Sequence, residues 1–175
     1  MDKRVYELIN DQINKELYSA YLYMQIADFY EDEGLEGYAN YFMVQAAEER
    51  DHALIFRKYL LENDEVPVLK AIAEPHGKFE SGDFMGPLEE SLKHEKYVTQ
   101  LIHDIYEAAD DAKDYRAMQF LKWFIDEQME EEDAASTMIT KMKLFGSEQM
   151  SLHTLDQEYA ARTYVMPSPL AGSAE

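Results

Sequence analysis

The chain has 175 residues, 46% of them hydrophobic, with 7 Gly, 5 Pro and no Cys. That length fills one core of ordinary size, so few turn-formers imply long regular elements, and the lack of Cys rules out disulfides, thiolate zinc and cysteine-ligated iron–sulfur centres. A net charge of −20, from 36 acidic against 16 basic residues, opposes nucleic-acid binding, which needs a basic face, and favours attraction of cations.

Helical periodicity runs from Asp2 to about Glu33, where Gly34 is placed to stop it. One seam of this helix reads Ile9, Ile13, Glu16, Ala20, Tyr23, Ala27 and Tyr30, apolar or aromatic except at Glu16. A second helix is predicted from Glu36 to Asn63, with the seam Tyr38, Phe42, Gln45, Glu49, His52, Phe56 and Tyr59. The short Gly34–Leu35 link makes these two helices antiparallel neighbours. Glu49 and His52, three apart, share a face one turn from each other, where an unpaired buried carboxylate would cost several kcal/mol.

From Asp64 to Asp83 the periodicity fails, and Pro67, Pro75, Gly77 and Gly82 punctuate the segment. A connection of about 20 residues is long for a compact domain. It makes sense as a crossover that climbs the bundle and sets the next helix parallel to the last. The third helix is predicted from Pro87 to Asp110, with Glu95 interrupting the seam Leu88, Leu92, Val98, Ile102, Ile105 and Ala109. His94 and His103 lie off that seam and are expected at the surface or at an interface.

A polar turn, Asp110 to Asp114, leads to a fourth helix from Tyr115 to Phe145. Its seam is Ala117, Leu121, Phe124, Gln128, Glu131, Ala135, Met138 and Met142, interrupted by a pair with the spacing of Glu49 and His52. A shorter fifth helix, about Glu148 to Thr163, should cap an end or join a subunit contact. The expected organisation is one all-α domain over residues 1–163 and a mobile tail over 164–175. No apolar run approaches the roughly 20 residues that span a bilayer, and Met1 leads into a helical pattern rather than an apolar leader. A cytoplasmic protein with no membrane partner is expected.

The interruptions line up. Glu16 and Glu95 are single acids on the first and third helices, and Glu49–His52 and Gln128–Glu131 are pairs on the second and fourth. All fall near mid-helix, so an antiparallel bundle brings them to a similar height. Four carboxylates facing one interior repel each other and force protonation on some members unless cations join them. A dinuclear metal site resolves the conflict, with Glu49 as the bridge. Carboxylates with one imidazole suit iron or manganese, and two metals about 4 Å apart can share one small ligand. Tyr23, two turns beyond Glu16, reads either as a core aromatic with a bonded hydroxyl or as a donor that orients a ligand. Trp123 invites the same two readings.

These residues resemble a non-haem bacterial or archaeal ferritin. The resemblance covers residues 3–163 and rests on Asn14–Tyr23, Glu48-Glu49-Arg50-Asp51-His52-Ala53, His94-Glu95, Phe120–Phe124 and Glu127–Glu132. Carboxylates and Glu-x-x-His pairs projecting into a bundle are the known pattern of di-iron proteins, which these residues resemble. The resemblance implies a ferritin-like four-helix bundle with one long crossover and a short fifth helix. It implies a ferroxidase that oxidises iron(II) with dioxygen or peroxide and stores iron(III) as a mineral inside a hollow 24-subunit shell of identical chains. It places the first iron on Glu16, Glu49 and His52, and the second on Glu49, Glu95 and Glu131 with Gln128 beside them. A third nearby iron falls to Glu48, Glu127, Glu130 and Glu131.

Two departures separate the chain from bacterioferritins, which carry a second Glu-x-x-His and a haem-ligating Met. Here those positions hold Gln128-x-x-Glu131 and Arg50, so no haem is expected and the second iron should be held more loosely. Rubrerythrins need Cys. Two competing functions are a di-iron or manganese oxidase acting on another substrate, and a metal-binding shell subunit without fast catalysis. Asp110, Asp111 and Asp114 read either as a solvated turn or as a cation route between subunits, and His153 is similarly open.

Overall fold

The structure is a computed structural model that describes residues 1–76 and 78–171. Four long helices form the bundle: α1 (Lys3–Asp32), α2 (Glu36–Glu62), α3 (Gly86–Asp111) and α4 (Tyr115–Phe145). A shorter α5 (Gln149–Ala160) packs against α2 and α4, and a single turn, α6 (Ser168–Ala171), follows. The expected all-α bundle with one long crossover and a short fifth helix is present. The long helices agree with the sequence boundaries to within a residue at each end.

Local chemistry explains the ends. Asp2 caps α1 by accepting from the backbone N–H of Arg4 at 2.8 Å and Val5 at 3.3 Å, and Asp114 caps α4 through Ala117 at 3.1 Å. Gly34 turns the chain with φ 77°, a conformation that costs glycine nothing. The start of α2 has no cap from its own side chains. Instead buried Asp156 on α5 accepts from the N–H groups of Gly37 (2.8 Å) and Tyr38 (3.1 Å). Gly37 allows this close approach, because a Cβ there would collide with the Asp156 carbonyl.

The described residues of the crossover before α3 form no regular element and are bonded along α1. Tyr6 donates to the Val66 carbonyl (2.9 Å), and Asn10 exchanges two hydrogen bonds with Val68 (3.0 and 2.7 Å). Asn14 donates to Ala71 (3.0 Å) and accepts from Lys70 (3.2 Å), and the Tyr18 hydroxyl accepts from His76 (3.2 Å). These four residues are spaced by one helical turn. The segment therefore rises parallel to α1, which sets α3 parallel to α2.

The fifth helix ends at Ala160, three residues before the predicted Thr163. Asn40 of α2 accounts for the stop by donating to the carbonyls of Tyr159 (3.3 Å), Ala160 (3.4 Å) and Arg162 (2.9 Å). Beyond it the chain returns along α2: Tyr164 donates to Asp51, and Lys58 donates to the Pro169 carbonyl at 3.1 Å.

The core is divided. One apolar cluster holds Val5, Ile9, Ile13, Phe56, Leu60, Ile102, Leu121 and Phe124. The other holds Tyr23, Ile26, Tyr30, Tyr38, Phe42, Leu88, Met138 and Met142. Between them lies a buried polar layer.

Candidate metal centre

Each bundle helix contributes to that layer at the position where its apolar seam is broken. Glu16 and His52 are 1% exposed, Glu49 and Glu95 2%, Gln128 4% and Glu131 8%. All six interior residues expected from the sequence are therefore buried in one layer. Of the outer three, Glu48 and Glu127 are half-buried and Glu130 is exposed.

Two sets of ligand atoms converge. Glu16, Glu49 and His52 each place one such atom within 4.8 Å of the others, and His52, Glu127 and Glu131 do the same. His52 Nδ1 lies 3.6 Å from Glu49 Oε2, and its Nε2 lies 4.0 Å from Glu127 Oε1. Glu95 belongs to neither set. Its carboxylate accepts from the Tyr23 hydroxyl and, at 3.1 Å, from Gln128 Nε2, which also reaches the Glu95 carbonyl at 3.2 Å.

Two glutamines absent from the expected site steady the acids. Gln12 Nε2 donates to Glu16 at 2.9 Å, and Gln45 Nε2 donates to Glu131 at 2.6 Å and to Glu49 at 3.3 Å. Each glutamine precedes its acid by four residues on the same helix, so a repeated Gln-x-x-x-Glu on α1 and α2 was the signal. Arg162 was also missed. It pairs with Glu48, and a lone arginine past the fifth helix carries no periodic signal.

The donors do not saturate the acceptors. Glu16 Oε2 has no hydrogen-bond partner, and neither has His52 Nε2. Buried polar atoms are seldom left so. Burial raises the Glu16, Glu49 and Glu131 carboxyls well above their ordinary range, and repulsion adds to it, from Glu49 on Glu16 and from Glu95 on the other two. Burial also raises Glu95, against the hydrogen bonds from Tyr23 and Gln128. Lone pairs without donors, carboxyls pushed towards protonation and one imidazole together suit hard or borderline divalent cations.

The surroundings favour packing roles for the aromatics. Trp123 and Phe124 meet the His52 ring edge-on at 5.5 and 5.8 Å. His94, expected at the surface or an interface, is buried. It bonds Ser19 Oγ at 2.8 Å through Nε2, and burial lowers its pKa to about 4. Asp110 pairs with Lys113 and Asp111 with Arg4, each at 3.2 Å, and Asp114 is the α4 cap. All three acids thus have local partners. Among the described residues, no helix is long and apolar enough to cross a membrane.

Comparison with known proteins agrees with this architecture. Residues 6–145 match the model of the ferritin-like domain. The bacterial non-heme ferritins of Staphylococcus saprophyticus and Staphylococcus aureus are each 34% identical over 164 residues. That alignment covers 94% of this chain and 97% and 98% of theirs. An open-pore ferritin from the hyperthermophilic archaeon Archaeoglobus fulgidus superposes with a TM-score of 0.89 at 35% identity, covering 93% of this chain and 99% of that one. A form of the Archaeoglobus fulgidus ferritin closed by site-directed mutagenesis gives 0.90 at 34% identity, covering 94% and 99%.

Proposed function

The chain belongs to the ferritin family, and on that premise we propose that it is a ferroxidase that oxidises iron(II) and stores the product as a mineral. The observation that carries the reading is the buried layer of four carboxylates and one imidazole, with Glu16 Oε2 and His52 Nε2 lacking partners. Iron is the substrate. Glu16, Glu49 and His52 take the first ion, Glu49 bridges, and Glu95 with Glu131 takes the second, Gln128 lying alongside. Each iron(II) gives up one electron, and the pair reduces dioxygen or peroxide by two. Binding displaces the protons that burial holds on these carboxyls. Tyr23 and Gln128 orient Glu95, while Gln12 and Gln45 orient Glu16, Glu49 and Glu131.

Glu48, Glu127 and Glu130, with Glu131, form an outer position for a third iron. Assembly into a 24-subunit shell is supported by an apolar strip on the outer face of α1 and α2. There Tyr21, Met24 and Met43 are 51%, 44% and 49% exposed beside Leu17, Ala46 and Ala47. Arg50 lines the same strip and pairs with Asp51 at 2.9 Å; it stands where bacterioferritins carry a haem-ligating Met, and the proposal includes no haem. We place the protein in the cytoplasm. Aerobic addition of iron(II) to wild type, Glu49→Ala and His52→Ala tests the activity: equal rates in all three sink it. Light scattering tests the shell, and a monomer or dimer sinks the storage role.

A further inference from the structure

Arg162 stands just past α5 and reaches the mouth of the metal layer. One terminal nitrogen, Nη1, donates to Gln45 Oε1 at 2.8 Å and to the Tyr41 carbonyl at 3.2 Å, while Nη2 pairs with Glu48 Oε2. The central carbon of the guanidinium sits over the Tyr41 ring, 4.0 Å from its centroid. Both partners of the ion pair are substantially shielded, Arg162 at 24% and Glu48 at 18% exposure. A fork held by a carboxylate, an amide, a carbonyl and an aromatic face is not a casual surface contact.

Its two arms reach both parts of the centre. Gln45 accepts from Arg162 through Oε1, so its Nε2 must point the other way, towards Glu49 and Glu131. Glu48 is meanwhile given a positive partner on a flank where Glu127 and Asp51 repel it. The guanidinium there does for Glu48 what a metal ion would.

We infer that Arg162 is a positioning residue that serves as a built-in counter-cation: it holds Glu48 in the ion pair, so a third metal ion binds only by displacing it, while its hold on Gln45 Oε1 keeps Nε2 donating to the inner carboxylates Glu49 and Glu131. The inference rests on the reading of Glu48, Glu127 and Glu130 as an outer cation position. The inner pair then fills first, and the outer position is weak until the guanidinium leaves. Because Arg162 begins the segment that returns along α2, displacement also loosens the chain around Tyr164 and its bond to Asp51.

The test is calorimetric titration of zinc into the assembled protein without oxygen. Wild type should bind two ions per subunit tightly and a third more weakly by about tenfold or more, the scale of a charge-assisted bond. Arg162→Gln should bring the third close to the first two, Arg162→Lys should restore the weak third, and Glu48→Gln with Arg162→Gln should remove it. Tyr164→Phe, which frees the segment without touching the guanidinium, should leave the wild-type pattern. In wild type, hydrogen exchange of residues 162–166 should quicken only past the second equivalent. A third ion equally tight in wild type and Arg162→Gln, or bound without change in that exchange, overturns the inference and leaves the outer position standing. Two ions in every variant removes the outer position, and the inference with it.

Discussion

His52 Nδ1 lies 3.6 Å from Oε2 of Glu49, one turn earlier on α2. That is too long for a hydrogen bond, although both groups are almost wholly buried and could satisfy each other by a small rotation. Gln45 donates to the other carboxylate oxygen, Oε1, at 3.3 Å, and Trp123 and Phe124 pack against the imidazole ring. Two ligands kept at this spacing are set for an ion between them. His52→Ala should therefore weaken the tighter cobalt(II) site by about a hundredfold or more, with helix content unchanged by circular dichroism. An unchanged affinity would remove His52 from the centre.

The pH response follows from the raised carboxyls. Glu16, Glu49, Glu95 and Glu131 have folded-state pKa values above the ordinary 4.5, so the folded chain binds more protons than the unfolded chain. Their contribution is fully present below pH 4.5 and is lost as pH rises through the folded-state values. The metal-free protein should melt at progressively lower temperature as pH rises from 4.5 towards neutrality. Zinc should cancel the fall by replacing the lost protons. Melting curves across that range, with and without zinc, give the answer, and a metal-free protein that stabilises with rising pH contradicts it.

Asp156 joins α5 to the bundle by capping α2. Asp156→Ala leaves the Gly37 and Tyr38 N–H groups buried without acceptors and should cost about 1–2 kcal/mol. Gly37→Ala should cost more, since its Cβ would fall on the Asp156 carbonyl. Denaturant titration of each variant checks both the size and the order.

Tyr23 donates to Glu95 from a fully buried position. Tyr23→Phe keeps the ring, which packs against Phe42 at 5.7 Å, and removes only the donor. Iron oxidation should slow about tenfold, a loss of one charge-assisted hydrogen bond, while zinc stoichiometry stays constant. A changed stoichiometry would make Tyr23 a structural residue instead.

Much of this was legible before the structure, because burial writes itself into periodicity. A single acid in an otherwise apolar seam marks Glu16 and Glu95, and i, i+3 pairs mark the other two helices. The crossover was legible only as a failure of helical pattern. Its attachment was not, since Tyr6, Asn10, Asn14 and Tyr18 bond backbone carbonyls and amides that leave no mark in the partner sequence. For the same reason α5 ran three residues too long on paper: Asn40, more than a hundred positions earlier, ends it. His94 was misplaced because Ser19, on another helix, makes its burial tolerable. Arg162 shows the limit most clearly, a residue whose role is set wholly by where the chain returns.

The most direct measurement is anomalous diffraction at the iron edge from crystals soaked in iron(II) without oxygen. Two strong peaks are expected inside each subunit, one among Glu16, Glu49 and His52 and one beside Glu95 and Glu131, with Glu49 touching both. Iron elsewhere, or a protein layer that stays free of metal at saturating iron(II), would contradict that arrangement.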